Sequence, residues 1–303
     1  MSLRIAVTGR HGQVARALAE AGPQLGVEVL LLGRPELDLA APETIGPALR
    51  AAAPSIVVNA AAYTAVDQAE QEPQKANAIN ATGAEAVAGT ARALGVPVIH
   101  LSTDYVFDGL KGAPYEERDE VAPTSVYGAS KLAGERAVAA IAFDHVILRT
   151  AWVYAPYGKN FVRTMLGLAQ ARDEVRVVSD QVGCPTYAPD IGVAIIAVAR
   201  NLLSKPNDPQ LRGIFNIAGS GETSWADFAA AIFAILAGKG MRTPMLTSIS
   251  SADYPTAARR PTNSRLDCGK LARWHGIKLP SWHSSLTSCL ERLTSGVDQA
   301  LRS

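Results

Sequence analysis

Tyr127 and Lys131 stand four residues apart in Tyr127-Gly128-Ala129-Ser130-Lys131, a spacing that puts both side chains on one face of a helix. A cation beside a phenol favours the phenolate and lowers the phenol pKa from its usual value of about 10. Tyr127 then becomes a workable proton donor near neutrality, the part of a general acid. An exposed, solvated pair is the competing reading, and other residues weigh against it. Ser102-Thr103 closes an apolar run and offers hydroxyls to the same substrate oxygen. Much earlier, Thr8-Gly9-Arg10-His11-Gly12-Gln13-Val14-Ala15 follows a strand-like run and opens a helical one. Glycines there let the backbone turn tightly and bring a helix amino terminus to a pyrophosphate. Ala15 takes the last glycine position of the usual fingerprint, where a methyl group still permits close helix packing. A strand-turn-helix without a ligand is the alternative, and the motif's place in the first βα unit favours the nucleotide. Arg34 and Asp38 follow the second apolar run. An acid at that strand tip binds a ribose 2′-hydroxyl, whereas an arginine accommodates a 2′-phosphate. Arg34 therefore points to NADPH, with NADH possible, unless it is a solvated surface residue. Asp38 is a candidate adenine-side contact.

These groups need a frame that brings them together. Leu3–Val7, Val27–Leu32, Ser55–Asn59, Val96–Leu101 and His145–Leu148 read as strands, with Gln13–Ala21, Pro42–Ala52, Pro73–Leu94 and Val126–Ala142 as the helices between and after them. Such alternation predicts an α/β fold built on a Rossmann-type doubly wound parallel sheet. Ligands in these sheets bind beyond the carboxyl ends of the strands, where Thr8-Gly9, Asn59-Ala60, Ser102-Thr103 and Arg149-Thr150 would sit. After about residue 150 prolines and aromatics break the rhythm, which predicts a smaller, discontinuous substrate-binding lobe. Ile191–Leu203 reads as a helix, and Gly213–Ala218 as a strand able to rejoin the main sheet. Thr223-Ser224-Trp225-Ala226-Asp227 opens another helix with a hydroxyl cap, and 255–261 reads as a loop. The expected division is 1–150 as the dinucleotide-binding domain and 151–303 mainly as the substrate lobe, with roughly 186–218 returning to the first.

The composition excludes several classes. With 303 residues, 29 Lys+Arg and 28 Asp+Glu, the net charge is +1, so no global basic field draws nucleic acid or anionic lipid. Any anionic ligand must be held locally. Cys184, Cys268 and Cys289 are too few and too scattered for a disulfide framework or a CxxC site, and reduced thiols predict a cytoplasmic protein. The amino-terminal run lacks the apolar stretch and cleavage site of a secretory signal. Ile191–Ala199 falls well short of the roughly 20 residues of a membrane span. The histidines show no metal spacing.

Taken together the motifs resemble the extended short-chain dehydrogenase/reductase superfamily, and within it the branch that reduces a dTDP-linked 4-keto sugar. The likeness runs through the glycine turn, Asn59-Ala60-Ala61-Ala62-Tyr63-Thr64-Ala65-Val66-Asp67, Ser102-Thr103-Asp104-Tyr105-Val106-Phe107-Asp108-Gly109 and Tyr127 to Leu132. It continues through Arg149 to Tyr154, Asp180 to Thr186, and Arg260-Pro261-Thr262-Asn263-Ser264. The glycine turn and Tyr-Lys pair belong to the whole superfamily, while Asn59–Asp67, Ser102–Gly109 and Arg260–Ser264 are specific to the branch. The resemblance implies Tyr127 as general acid to the sugar C4 oxygen, Lys131 as its tuning cation and nicotinamide-ribose ligand, and Thr103 as a hydrogen-bond partner of the reacting carbonyl. It implies a nucleotide-sugar substrate, dTDP-4-dehydro-L-rhamnose, contacted by Thr103, Asp104, Tyr105, Tyr127, Trp152 and Arg260. Trp152 is alternatively a core or hinge residue, and Arg260 alternatively the partner of a surface carboxylate. Cofactor contacts are implied at Gly9, His11, Gly12, Gln13, Val14, Arg34, Asp38, Leu39, Ala60, Ala61, Ala62, Thr64, Tyr127 and Lys131, with Asn80 organising water beside Lys131.

One departure bears on assembly. Some relatives are metal-bridged dimers that use a glutamate on the first helix, where this chain has Arg16 and Ala17. No structural metal is expected, and the chain is a monomer or homodimer. Two other activities share parts of the pattern. A nucleotide-sugar epimerase or dehydratase would recycle its cofactor, but Tyr105 follows Thr103-Asp104 where similar dehydratases carry a Glu. A regulatory subunit resembling that of methionine adenosyltransferase would need none of Thr103, Tyr127 and Lys131, all of which are present.

Overall fold

In the computed structural model, which describes residues 3–295, the apolar runs become strands β1 (Arg4–Thr8), β2 (Glu28–Leu32), β3 (Ile56–Asn59), β4 (Val98–Thr103) and β5 (His145–Thr150). A sixth strand, Gly213–Asn216, pairs with β5. All neighbours are parallel, in the order β2, β1, β3, β4, β5 and then the sixth strand. Side chains alternate along a strand, so one face of the sheet carries Ile5, Val7, Val58 and Ile99 under helix α1 (Gln13–Gln24) and the helix Ala188–Ser204. The other face carries Ala6, Val57, Val98 and Ile147 under Ile45–Ala52, Gly83–Leu94 and Val126–Ile141. Helices on both faces make the sheet doubly wound, and its strand order reverses at β1, which puts the crevice at the carboxyl ends of β1 and β3. Met1, Ser2 and 296–303, the ends of the two expected domain spans, lie outside the described residues.

Near the crevice the second face turns from apolar to polar. Thr8 Oγ1 donates to Asn59 Oδ1 (2.7 Å), and Asn59 Nδ2 donates to His100 Nδ1 (3.0 Å). Burial holds His100 well below its usual pKa, with the Lys131 charge adding to the effect, so the ring is neutral and accepts at Nδ1. On β5, Arg149 makes a two-pronged ion pair with Glu135 of the helix Val126–Ile141, at 2.9 and 2.7 Å, both groups at most 3% exposed.

Beyond β5 the chain builds an aromatic core from Tyr154, Tyr187, Phe228 and Trp282 between three helices, Phe161–Ala171, Trp225–Gly238 and Trp282–Thr294. A small sheet joins Val182–Gly183 to Thr223–Ser224 and Asn263–Ser264. Ser224 caps the helix it precedes by accepting from the Asp227 amide, as the hydroxyl-rich opening predicts.

The stretch 73–94, expected as one helix, contains a π segment at Ala78–Thr82. The wider turn aims Asn80 sideways. Its carbonyl oxygen accepts from the Tyr63 amide and its amide donates to the Tyr63 carbonyl and to Ser130 Oγ. A Cβ on Gly134 would lie 2.1 Å from the Asn80 backbone oxygen, so the Tyr127 helix approaches the π segment only because position 134 is bare. Gly134→Ala is therefore expected to destabilise the fold by about 1–3 kcal/mol. Gly89→Ala, with nothing within 4 Å of the added methyl, should instead stabilise by about 0.4–1 kcal/mol. Urea unfolding of both variants checks the contrast.

Candidate active site

Gly9 has φ +96°, a conformation open to glycine and strained for other residues. Its amide donates to the Leu32 carbonyl (2.6 Å) and a Cβ there would sit 3.3 Å from that of Ala61. Thr8 Oγ1 accepts from the Ala61 amide (3.0 Å), so the turn is fastened to the strand tip Ala60–Ala62. Helix α1 then starts at Gly12 with no side-chain cap and no acid in its first turn. Nothing lies within 4 Å of where a Gly12 Cβ would be. Uncapped amides with open approach and a positive helix end suit an anionic pyrophosphate, so these residues fit a dinucleotide.

The other sequence-selected positions fall around this turn in different ways. His11, Arg34 and Thr64 are exposed, while Val14 and Leu39 are buried. Leu39 packs in the apolar cluster beneath the sheet, and Asp38 accepts from the Ala40 amide (2.9 Å). The Gln13 side chain faces the second lobe, accepting from Asn160 Nδ2 (3.0 Å). Arg10 is a residue the sequence reading passed over. Its side chain lies across Gly33, donates to the Arg34 carbonyl (3.1 Å) and pairs with Glu36 (2.6 Å). A cation inside the glycine turn was the available signal, since that turn and the second strand tip are neighbours in any such fold.

At the tip of β4, Thr103 Oγ1 donates to Asp104 Oδ1 (3.0 Å) and accepts from the Tyr105 amide (3.2 Å). Tyr127 opens the adjacent helix, edge-on to Tyr105 with centroids 5.4 Å apart. Gly128 permits the approach: a Cβ there would fall 2.2 Å from the Tyr105 carbonyl oxygen. Burial pushes the Tyr127 phenol up, opposed by its hydrogen bond with Thr103 and reinforced by the charges of Asp104 and Tyr105. The net shift in the free chain is upward, where the Tyr-Lys spacing led to the expectation of a lowering. Lys131 is buried and donates to the Leu101 carbonyl (2.6 Å), two residues before Thr103 on β4. Burial lowers the lysine to about 8, against the pull of Glu135, so it is mainly an ammonium at neutral pH. The site thus holds a protonated phenol beside the tip of β4, with a cation on the same helix. Asn80, bonded to Tyr63 and Ser130, fastens the strand-tip loop to this helix.

On the opposite wall, burial raises Asp104 to about 6, against hydrogen bonds from Ser264 and Thr103. Tyr105 is raised to about 12 by burial and by Asp104, with Arg260 opposing. Arg260 pairs with Asp67 (2.7 Å), which also accepts from the Ala258 amide (3.1 Å), so the carboxylate-partner reading describes its contact here. Trp152 has φ +49° and its ring stacks on Trp225, with centroids 3.5 Å apart and planes 10° from parallel. Among the described residues no group of three or more His, Cys, Asp or Glu is placed to hold a metal. None of the described helices is long and apolar enough to cross a membrane.

Residues 3–295 match the family model of the RmlD substrate binding domain. The chain belongs to the RmlD family. This RmlD-family chain is 56% identical over 284 residues to the dTDP-4-dehydrorhamnose reductase of Sinorhizobium fredii, covering 93% of this chain and 95% of that one. It is 41% identical over 297 residues to the protein of that name from Escherichia coli K12, with 96% and 98% covered. The crystal structure of a dTDP-4-dehydrorhamnose reductase from Bacillus anthracis in complex with NADP is similar at TM-score 0.88 and 34% identity, covering 96% and 99%. A UDP-glucose 4-epimerase from Thermus thermophilus, at TM-score 0.80 and 20% identity, shares the fold of the RmlD-family chain.

Proposed function

We propose that the chain is an NADPH-dependent reductase that converts the C4 ketone of dTDP-4-dehydro-L-rhamnose to the alcohol of dTDP-L-rhamnose, the last step in making that nucleotide sugar. The observation that carries the reading is the Tyr127 phenol, kept protonated by burial with Thr103 opposing the shift and set edge-on to Tyr105 just past the tip of β4, beside an uncapped dinucleotide turn. When bound, the cofactor supplies hydride to C4. Gly9, Gly12 and the first amides of α1 would hold its pyrophosphate, with Arg34 and Arg10 near the adenosine ribose. As charge builds on the C4 oxygen, Thr103 and Tyr127 hydrogen-bond to it and Tyr127 releases its proton there. Donors placed where charge develops stabilise the transition state more than the ground state. Lys131, on the same helix, favours the phenolate that remains. Asp104, Tyr105, Trp152 and Arg260 line the sugar side.

The same reading places residues 1–150 in a dinucleotide domain and 151–303 mainly in a substrate lobe, with about 186–218 returning to the first. It assigns the working enzyme to the cytoplasm, as a monomer or homodimer. Purified protein given the keto sugar should consume NADPH stoichiometrically, which separates a reductase from an epimerase or dehydratase. Arg34→Ala should raise the KM for NADPH roughly tenfold and leave that for NADH within twofold. No net NADPH oxidation by intact, folded protein overturns the reading.

Activity should also depend on pH through Lys131. A lysine lowered to about 8 is charged below that pH and neutral above it, so kcat/KM is expected to hold through neutrality and fall on the alkaline side with a midpoint near 8. A profile level to pH 10 would show that the Lys131 charge has no part in the reaction.

A further inference from the structure

Trp152 occupies a left-handed backbone conformation, φ +49°, that a bulky residue adopts only when its surroundings impose it. Two of those surroundings are adjacent strands of the small sheet. Gly183 lies under the indole: a Cβ at 183 would fall 2.5 Å from Trp152 Cε2 and 2.8 Å from Nε1. Thr223 pairs with Gly183 across the sheet, and two residues later Trp225 stacks on the Trp152 ring. Trp225 is fixed in turn by Phe161 against its ring (4.5 Å) and by the cap at Ser224. The Trp152 carbonyl accepts from the Thr186 amide (3.1 Å), and Val153–Tyr154 pairs with Thr186–Tyr187, which holds the backbone while the rings hold the side chain. Part of the Trp152 surface stays accessible. The third strand of the same sheet carries Ser264, which opposes the burial-driven rise of the Asp104 carboxyl beside Thr103.

We propose that Trp225 is a positioning residue for sugar recognition: stacked above a position that must be glycine, it sets the plane of Trp152, and Trp152 presents that plane to the sugar. The proposal rests on the assignment of Trp152 to the substrate wall. Trp225 acts through Trp152 and touches no reacting atom, so its removal should affect binding of the nucleotide sugar and spare the cofactor.

A double-mutant cycle tests this. Trp225→Ala should raise the KM for the keto sugar about three- to tenfold, the scale of a lost aromatic pair, with kcat within twofold and the KM for NADPH unchanged. Trp225→Phe, which keeps a ring, should return the sugar KM to within twofold of the parent. In a Trp152→Ala background, adding Trp225→Ala should change the sugar KM by less than twofold, because the residue it works through is gone. The exciton signal of the stacked indoles in circular dichroism should vanish in either single variant. Gly183→Ala offers a route that leaves both indoles in place, and should raise the sugar KM while weakening that signal. Independent, multiplying effects of the two Trp→Ala changes would overturn the proposal. So would an unaltered sugar KM in a folded variant that has lost the indole signal. A parent protein that turns over no keto sugar would instead overturn the reductase reading itself.

Discussion

Tyr127→Phe lowers kcat/KM for the keto sugar by about 10²–10⁴-fold, the range expected for removing a positioned proton donor, and leaves the Kd for NADPH within twofold. The change deletes one oxygen and keeps the ring, so the edge-on contact with Tyr105 (centroids 5.4 Å apart) survives, and so does the helix capped by Ser125. What disappears is the phenol's polar interaction with Thr103 and the proton itself. Thr103 Oγ1, whose one proton goes to Asp104 in the free chain, supplies a residual rate by turning that proton to the carbonyl. Initial rates of NADPH oxidation and a fluorescence titration of NADPH binding measure the two quantities separately. A folded variant within tenfold of the parent rate would remove Tyr127 from the role of acid.

Glu135→Ala should cost about 3–5 kcal/mol of folding stability, because it strands the Arg149 guanidinium in the interior without its counter-charge. The pair is at most 3% exposed and joined at two points, and Arg149 donates elsewhere only to the Glu117 carbonyl, at 3.4 Å. On a chain of this size the loss corresponds to a fall of roughly 10 °C in Tm. Replacing both charges, Glu135→Met with Arg149→Met, should recover most of that loss, since two apolar groups leave no buried charge behind. Arg4→Ala supplies the contrast: the Arg4–Glu28 pair is about two-fifths exposed, and its loss should move stability by less than 1 kcal/mol. Thermal and urea unfolding of the set decide the matter, and a Glu135→Ala cost below 1 kcal/mol would show that the interior here admits water. The pair matters beyond stability because Glu135 lies two turns along the helix from Tyr127, and Arg149 stands three residues before Trp152 on the strand that delivers it.

The frame was legible because its signals are local. Apolar runs bounded by small or polar tips located β1 to β5, and the glycine turn and Tyr-Lys spacing named the two ends of the crevice. The π segment at Ala78–Thr82 was not legible, since the irregularity serves contacts with Tyr63 and Ser130, distant in sequence. The Lys131 contact was not legible for a related reason. Four-residue spacing fixes the helix face but gives no sign of the Leu101 carbonyl to which the amine donates. Arg260 was left between two partners, and its pairing with Asp67 joins residues nearly two hundred positions apart that no spacing rule connects. Glu135 could have been found: it continues the Tyr127, Lys131 series by another four residues, and a buried acid on that face requires a cation from the sheet.

The pairing of Gly213–Asn216 with β5 has a consequence for how the chain reaches its final form. More than sixty residues separate the two strands, and they include the whole of the Phe161–Ala171 and Ala188–Ser204 helices. Until the late strand arrives, β5 presents an unpaired row of amides and carbonyls, a surface prone to join another chain. Closing that distance is slow compared with forming the local βα units. A polypeptide cut at residue 150 would keep the nucleotide turn and the Tyr127 helix but leave this edge bare for its whole lifetime. The nucleotide half is therefore finished by a strand synthesised long after it, and its solubility during synthesis depends on how quickly the ribosome supplies the next fifth of the protein.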